Sequence, residues 1–146
     1  MSDHTGVVAG AVVERYLLLG LRLGRHLDGL VDAYYGPPAL ARRVDDEAKT
    51  DLGELVAEAS RLVADLDAPG DLDGMDAGRR RWLRAQCAGL VTTAAKLRGD
   101  AIGYSDEVES CYGVRPERVP EERFTAAHAA LDEVLPGTGA LAERYG

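Results

Sequence analysis

The sequence lacks the basic surplus and the long apolar runs that mark nucleic-acid and membrane proteins. It holds 17 Lys and Arg against 25 Asp and Glu, a formal charge of −8. Because binding phosphates requires a surplus of basic side chains, we expect no nucleic-acid partner. No window of about 18 uncharged apolar residues is present, so we expect no membrane partner. The N-terminus also lacks a basic start followed by an apolar run, which predicts a cytoplasmic protein without a signal peptide.

Cysteine and histidine are scarce as well. Cys87 and Cys111 are too far apart for a compact zinc site and too few for a disulfide framework, so both are expected to be buried free thiols. None of the three histidines forms a His-x-x-x-His or Glu-x-x-His pair, and no Cys-x-x-Cys occurs. P-loop, dinucleotide and nucleophile-elbow fingerprints are absent too. The sequence therefore predicts no metal site and no cofactor.

Aromatic residues make up only 5% of the chain, and no segment alternates apolar and polar residues with a period of two. Apolar residues instead recur at helical spacing, and much of the apolar content is Ala and Leu, which favours helices. We predict a single all-α domain over residues 1–146, an antiparallel bundle of about five helices with an acidic loop near 68–75. The predicted helices span 5–35, 37–67 with a break at Gly53, 76–98 closed by Gly99, 105–113 capped by Ser105, and 120–135.

Charge is unevenly distributed along the chain. Residues 45–76 contain eleven acidic side chains and two basic ones. The densest basic cluster follows directly, at Arg79, Arg80, Arg81 and Arg84, with Trp82 inside it. We interpret this cluster as pairing with the acidic segment across the bundle, with an anion clamp as the alternative. Trp82 is expected in the core.

The first candidate site lies where the first predicted helix ends, in the sequence Val-Asp-Ala-Tyr-Tyr-Gly-Pro-Pro of residues 31–38. Gly36 suits a left-handed C-cap, and Pro38 can open the next helix. On a continuous helix, spacings of three and four residues would place Arg25, Asp28, Asp32 and Tyr35 on one face. Two carboxylates oriented by Arg25 can act as an acid and base couple. The alternative is an Arg–Asp pair at the rim of the core.

A second candidate lies in residues 104–112. The helix dipole accounts for Asp106 and Glu107 in the first turn of the predicted helix. Glu109 lies near the middle of that helix, one turn from Tyr112, and is therefore the better candidate for ligand contact.

Four segments together resemble the N-terminal helical region of larger bacterial proteins that look like helical zinc metallopeptidases. They are residues 31–38, Trp-Leu-Arg-Ala-Gln at 82–86, residues 104–113, and residues 135–145 with Leu-Pro-Gly-Thr-Gly at their start. The resemblance implies an all-helical scaffold in which Asp32, Tyr34, Tyr35 and residues 109–112 face a cleft. It does not imply peptidase activity, because no His-Glu-x-x-His motif is present.

Three functions are consistent with these patterns. The first is a helical domain that binds a small organic ligand between its helices, without a metal. The second is a cofactor-free hydrolase, cyclase or isomerase that uses Asp32, Glu109 or Asp28, with His26 or His128, for proton transfer. The third is a structural or protein-interaction module that forms a homodimer through the Ala- and Gly-rich first helix. The predicted ligand-binding residues are Arg25, Asp28, Asp32, Tyr34, Tyr35, Glu109 and Tyr112.

Overall fold

A computed structural model describes residues 5–70, 72 and 74–145, with the side chains of the first helix described from Gly10 onward. Seven helices, and no strand, are found over this range, so the all-α prediction is confirmed. They are α1 Thr5–Gly24, α2 Pro38–Asp46, α3 Leu52–Asp67, α4 Ala77–Arg98, α5 Tyr104–Tyr112, α6 Glu121–Val134 and α7 Leu141–Tyr145. The count exceeds about five because the expected break within 37–67 separates two full helices and because the sequence analysis does not predict α7.

The chain divides into two compact units, Met1–Arg115 and Pro116–Gly146. The first contains α1 to α5 and the second contains α6 and α7. The antiparallel bundle and the single domain over 1–146 stay predictions. Asp71 and Asp73, which belong to the predicted acidic loop, lie outside the described residues, as does His4.

The core of the first unit is built around α3, which packs most extensively on α4 and also contacts α1. Its largest fully buried side chains are Leu19, Leu23, Leu55, Leu62 and Cys87. Burying each of these leucines stabilises the fold by about 1.5–3 kcal/mol relative to leaving it exposed. The buried side chains therefore hold α1, α3 and α4 together.

Local capping chemistry sets several helix ends where the sequence predicts them. Asp76 is the N-cap of α4 and accepts a hydrogen bond from the backbone N–H of Arg79 at 2.9 Å. Gly99 closes α4 in the left-handed conformation, with φ of 103°, and Gly113 closes α5 in the same way. Pro38 opens α2, as predicted.

The break between α2 and α3 falls at residues 47–51 rather than at Gly53. Asp51 caps α3 and accepts hydrogen bonds from the backbone N–H groups of Gly53 and Glu54, at 2.7 and 3.3 Å. Gly53 therefore lies in the first turn of α3. A cap at Asp51 satisfies two donors that have no partner within the helix, which explains why the helix starts there.

The first helix ends at Gly24, eleven residues before the predicted end. The chain then turns through Gly29, whose φ is 79°, and Val31 returns over the end of α1. A Cβ at Gly24 would lie 3.4 Å from Val31 Cγ2. The predicted C-cap at Gly36 is wrong, because Gly36 is not among the glycines with positive φ.

Tertiary hydrogen bonds fix the turn after α1. The Arg25 guanidinium donates to the carbonyl oxygens of Val44 and Glu47, at 2.8 and 2.9 Å. His26 Nε2 lies 2.8 Å from the carbonyl oxygen of Thr50. Arg22 forms two hydrogen bonds with the Glu47 carboxylate, at 2.5 and 3.0 Å. These bonds tie residues 22–26 to the last turn of α2 and to the segment between α2 and α3.

Two further predictions about individual residues are wrong. Trp82 is 54% exposed rather than part of the core. Ser105 lies inside α5, whose N-cap is Gly103 and has no side-chain cap. The first error arises because helical pattern does not show which part of a helix a neighbour covers, and the second because N-cap preference alone does not fix where a helix starts.

In the second unit, α6 and α7 contact each other through Arg144. Its guanidinium forms an ion pair with Asp132 and donates to the backbone carbonyl oxygen of Asp132 at 2.8 Å. It also donates to the carbonyl oxygen of Leu135. Arg144 therefore satisfies carbonyl groups at the C-terminal end of α6 that have no partner within the helix.

Candidate functional site

The candidate site is a groove between α1 and the segment that returns over it, here called the α1 groove. It has a volume of about 450 Å³ and is lined by Tyr16, Leu17, Gly20, Leu21, Leu30, Val31, Asp32, Ala33 and Tyr34. The volume lies in the range of small-molecule sites, and most of the wall is apolar, as is usual for such sites.

The rotational position of α1 creates the floor of this groove. Val12, Leu19 and Leu23 are buried, whereas Leu17 and Leu21 are half-buried and line the groove. The apolar spacing predicts an inward stripe through Leu17 and Leu21, but that stripe is only partly covered. The uncovered apolar surface is the physical basis of the site.

Asp32 is the one charged side chain of the lining. It is exposed, and it forms no hydrogen bond or ion pair with any other residue in the described part of the chain. Its two carboxylate oxygens are therefore available to accept hydrogen bonds from a ligand.

Tyr34 is held in place by the turn that follows it. Its hydroxyl donates to the carbonyl oxygen of Pro37 at 3.1 Å. Its ring lies over Gly36, where a Cβ would approach the Tyr34 hydroxyl oxygen to 2.5 Å and Cζ to 2.6 Å. Gly36 is therefore needed for close approach of this ring rather than for a helix cap.

Tyr16 connects the groove to the exposed Trp82. The two rings pack edge to face, with centroids 6.1 Å apart and an interplanar angle of 72°. Burial raises the pKa of the Tyr16 hydroxyl, and the Cys87 thiol adds to this effect. Tyr16 therefore stays a neutral phenol at physiological pH.

The structure places the residues of the first predicted site in two groups. Asp32 and Tyr34 line the α1 groove. Arg25, Asp28 and Tyr35 do not, and Tyr35 is 95% exposed. Because the helix ends at Gly24, residues 25–35 have no common helical face. Arg25 binds backbone carbonyl oxygens and is not the residue that orients Asp28 and Asp32.

The second predicted site is separate from the groove. The helix α5 packs against α4, and no residue of α5 lines the α1 groove. Arg115 forms ion pairs with Glu109 and with Asp106, the latter at 2.9 Å. Tyr112 is 78% exposed.

The arginine cluster contacts the end of the acidic segment. Arg84 forms an ion pair with Asp67 at 3.1 Å, and this partner lowers the pKa of the Asp67 carboxyl. Arg80 donates to the carbonyl oxygens of Leu66 and Gly70, at 2.6 and 2.7 Å, and to that of Ala68. Pairing with the acidic segment is thus present for Arg84, while Arg80 satisfies backbone groups at the end of α3.

Cys87 and Cys111 are free, as predicted, although only Cys87 is fully buried.

Among the described residues no group of three or more His, Cys, Asp and Glu side chains is placed to hold a metal ion. Over the same range, each helix is too short or too polar to cross a membrane.

Sequence reasoning did not find Tyr16, Leu17, Gly20 and Leu21 as site residues. Their spacing of three and four residues indicates a helix face, which is the only signal that they carry.

Comparison with protein-family models, with curated proteins and with solved structures gives no match.

Proposed function

We propose that this protein binds a small organic ligand in the α1 groove. The observation that carries the proposal is an apolar groove of about 450 Å³ whose one charged lining residue, Asp32, has no side-chain partner in the described part of the chain. Apolar walls drive binding of a hydrocarbon body, and a few polar groups set its orientation.

Two polar groups of the groove come from the segment that returns over α1. Asp32 offers carboxylate oxygens, and the Tyr34 hydroxyl oxygen can accept a hydrogen bond while donating to Pro37. The floor is formed by Leu17, Gly20 and Leu21 on α1. A bound ligand would therefore place its apolar body on α1 and its polar end beside residues 32–34.

Gly20 offers a direct test of this proposal. A Cβ at Gly20 would meet nothing within 4 Å, and its backbone is helical, so a larger side chain there extends into the groove without a backbone clash. Because leucine has a higher helix propensity than glycine, Gly20→Leu should also keep α1 folded. The variant blocks the groove and preserves the scaffold.

The matched control is Gly10→Leu, the same substitution on the same helix. A Cβ at Gly10 also meets nothing within 4 Å, and Gly10 does not line the α1 groove. A fragment mixture of aromatic and aliphatic amines, alcohols and acids is screened by saturation-transfer NMR against the wild type and both variants. We expect a set of fragments that bind the wild type and Gly10→Leu but not Gly20→Leu. If no fragment shows this pattern, the proposal is wrong.

A further inference from the structure

We propose that the ligand of the α1 groove is an organic cation, an amine or quaternary ammonium compound with an apolar body. This inference rests on the proposed function and specifies the class of its ligand. It is drawn from the charge of the groove and from the aromatic rings in its wall.

The charge of the groove has one sign. Asp32 is its one charged lining residue, and the lining contains no Lys, Arg or His. The guanidinium of Arg25 is engaged by the carbonyl oxygens of Val44 and Glu47. An anionic ligand would therefore find a carboxylate and no positive side chain in the groove wall, whereas a cation finds an attractive partner.

Backbone donors at the next helix do not supply the missing positive charge. Helix α2 begins at Pro38 and is preceded by Pro37. Neither proline carries an N–H, and no residue of α2 lines the α1 groove, so the N-terminus of this helix presents no anion site to a ligand there.

Two tyrosine rings add attraction for a cation. Tyr16 and Tyr34 both line the groove, and the negative face of an aromatic ring attracts ammonium groups. Tyr16 is supported by Trp82, and Tyr34 by its hydrogen bond to Pro37 and its contact with Gly36. Both rings are thus held by neighbours before any ligand arrives, which lowers the entropy lost on binding.

The probe ligands are benzyltrimethylammonium, benzyl alcohol and phenylacetate, which share a phenyl ring and differ in charge. Their affinities are measured by fluorescence of Trp82, the one tryptophan of the chain, and by 1H–15N NMR shifts. Ion-pair and cation–π contributions at a partly exposed site correspond together to about a tenfold difference in Kd. We expect the cation to bind about tenfold more tightly than the alcohol, the anion to bind most weakly, and the cation's advantage to shrink in high salt.

Two isosteric substitutions locate the effect. Asp32→Asn should weaken cation binding about threefold, because it removes the ion pair and keeps the Tyr16 and Tyr34 rings, and it should leave the affinity for the neutral alcohol nearly unchanged. Asp28→Asn removes the same charge from a nearby exposed residue outside the lining and should change the cation Kd less than about twofold. Gly36→Ala, which forces the Tyr34 ring to move, should also weaken binding of the cation.

The outcomes separate the two proposals. If Gly20→Leu abolishes binding of benzyl alcohol and the cation alike, but Asp32→Asn changes neither, the groove binds ligands and the cation inference is wrong. The inference is also overturned if phenylacetate binds as tightly as the cation. If Gly20→Leu leaves the binding of every probe unchanged, the groove is not the site and both proposals fail.

Discussion

Arg80 provides the most direct test of how α3 and α4 are joined. Its guanidinium reaches from α4 to three carbonyl oxygens at the end of α3, those of Leu66, Ala68 and Gly70. The Leu66 carbonyl belongs to the last turn of α3 and has no partner within the helix. The perturbation is Arg80→Met, which keeps the aliphatic stem and removes the five donors.

The expected loss in the free energy of unfolding follows from the geometry of these bonds. A hydrogen bond that involves a charged group contributes about 1.5–3 kcal/mol when it is well shielded. Arg80 is half-buried and two of its bonds are exposed, so water replaces part of what is lost. We therefore expect Arg80→Met to lower the free energy of unfolding by about 2 kcal/mol in total, a decrease in Tm of about 8 °C. Arg80→Lys, which can reach fewer carbonyl groups, should lose about half as much.

The assay is urea unfolding followed by fluorescence of Trp82, which lies in α4 and reports on the first unit. The matched control is Arg81→Met, because Arg81 is exposed and has no hydrogen bond or ion pair among the described residues. We expect Arg81→Met to change the free energy of unfolding by less than about 0.5 kcal/mol. If both variants lose the same free energy with an unchanged m-value, the bonds from Arg80 do not stabilise the α3–α4 pair and the reasoning is refuted.

Two further predictions concern ionisable groups. The hydrogen bond from Arg22 lowers the pKa of Glu47 below its ordinary 4.5, so its contribution is present above pH 4.5 and is lost as pH falls through the lower, folded pKa. Glu47→Gln should therefore flatten the acid limb of a stability–pH curve by about 1 kcal/mol, and an unchanged curve contradicts this. Burial raises the pKa of Cys87 to about 11, so in a Cys111→Ser background its thiol should react with a disulfide reagent at pH 8 only after unfolding in urea. Fast reaction in the native protein would show that Cys87 is accessible.

Features that depend on a few neighbouring residues are readable from the sequence. The all-α class follows from helical spacing and composition. The ends of α4 follow from Asp76 and Gly99, and the end of α5 follows from Gly113. Each of these residues acts on backbone groups within one turn of itself, so no distant part of the chain is needed.

The end of α1 was not predictable in this way. Apolar spacing continues past Gly24, but Arg25 and His26 bind backbone carbonyl groups at residues 44, 47 and 50, and Val31 packs back over the helix. The hydrogen bonds from Arg25 and His26 join segments 19 to 24 residues apart, and together with the Val31 contact they outweigh the local preference to extend the helix.

The candidate site likewise combines features that the sequence determines with features that depend on tertiary contacts. The sequence by itself determined that Leu17 and Leu21 would share a helix face, but it placed Asp32 and Tyr34 on the first helix rather than in the turn that follows Gly24. Only the tertiary structure decided that these residues line one groove, that Glu109 is paired with Arg115, and that Trp82 is exposed. The physical reason is that the direction of the chain after α1 and the rotation of that helix are set by packing against α2, α3 and α4, and no local pattern encodes that choice.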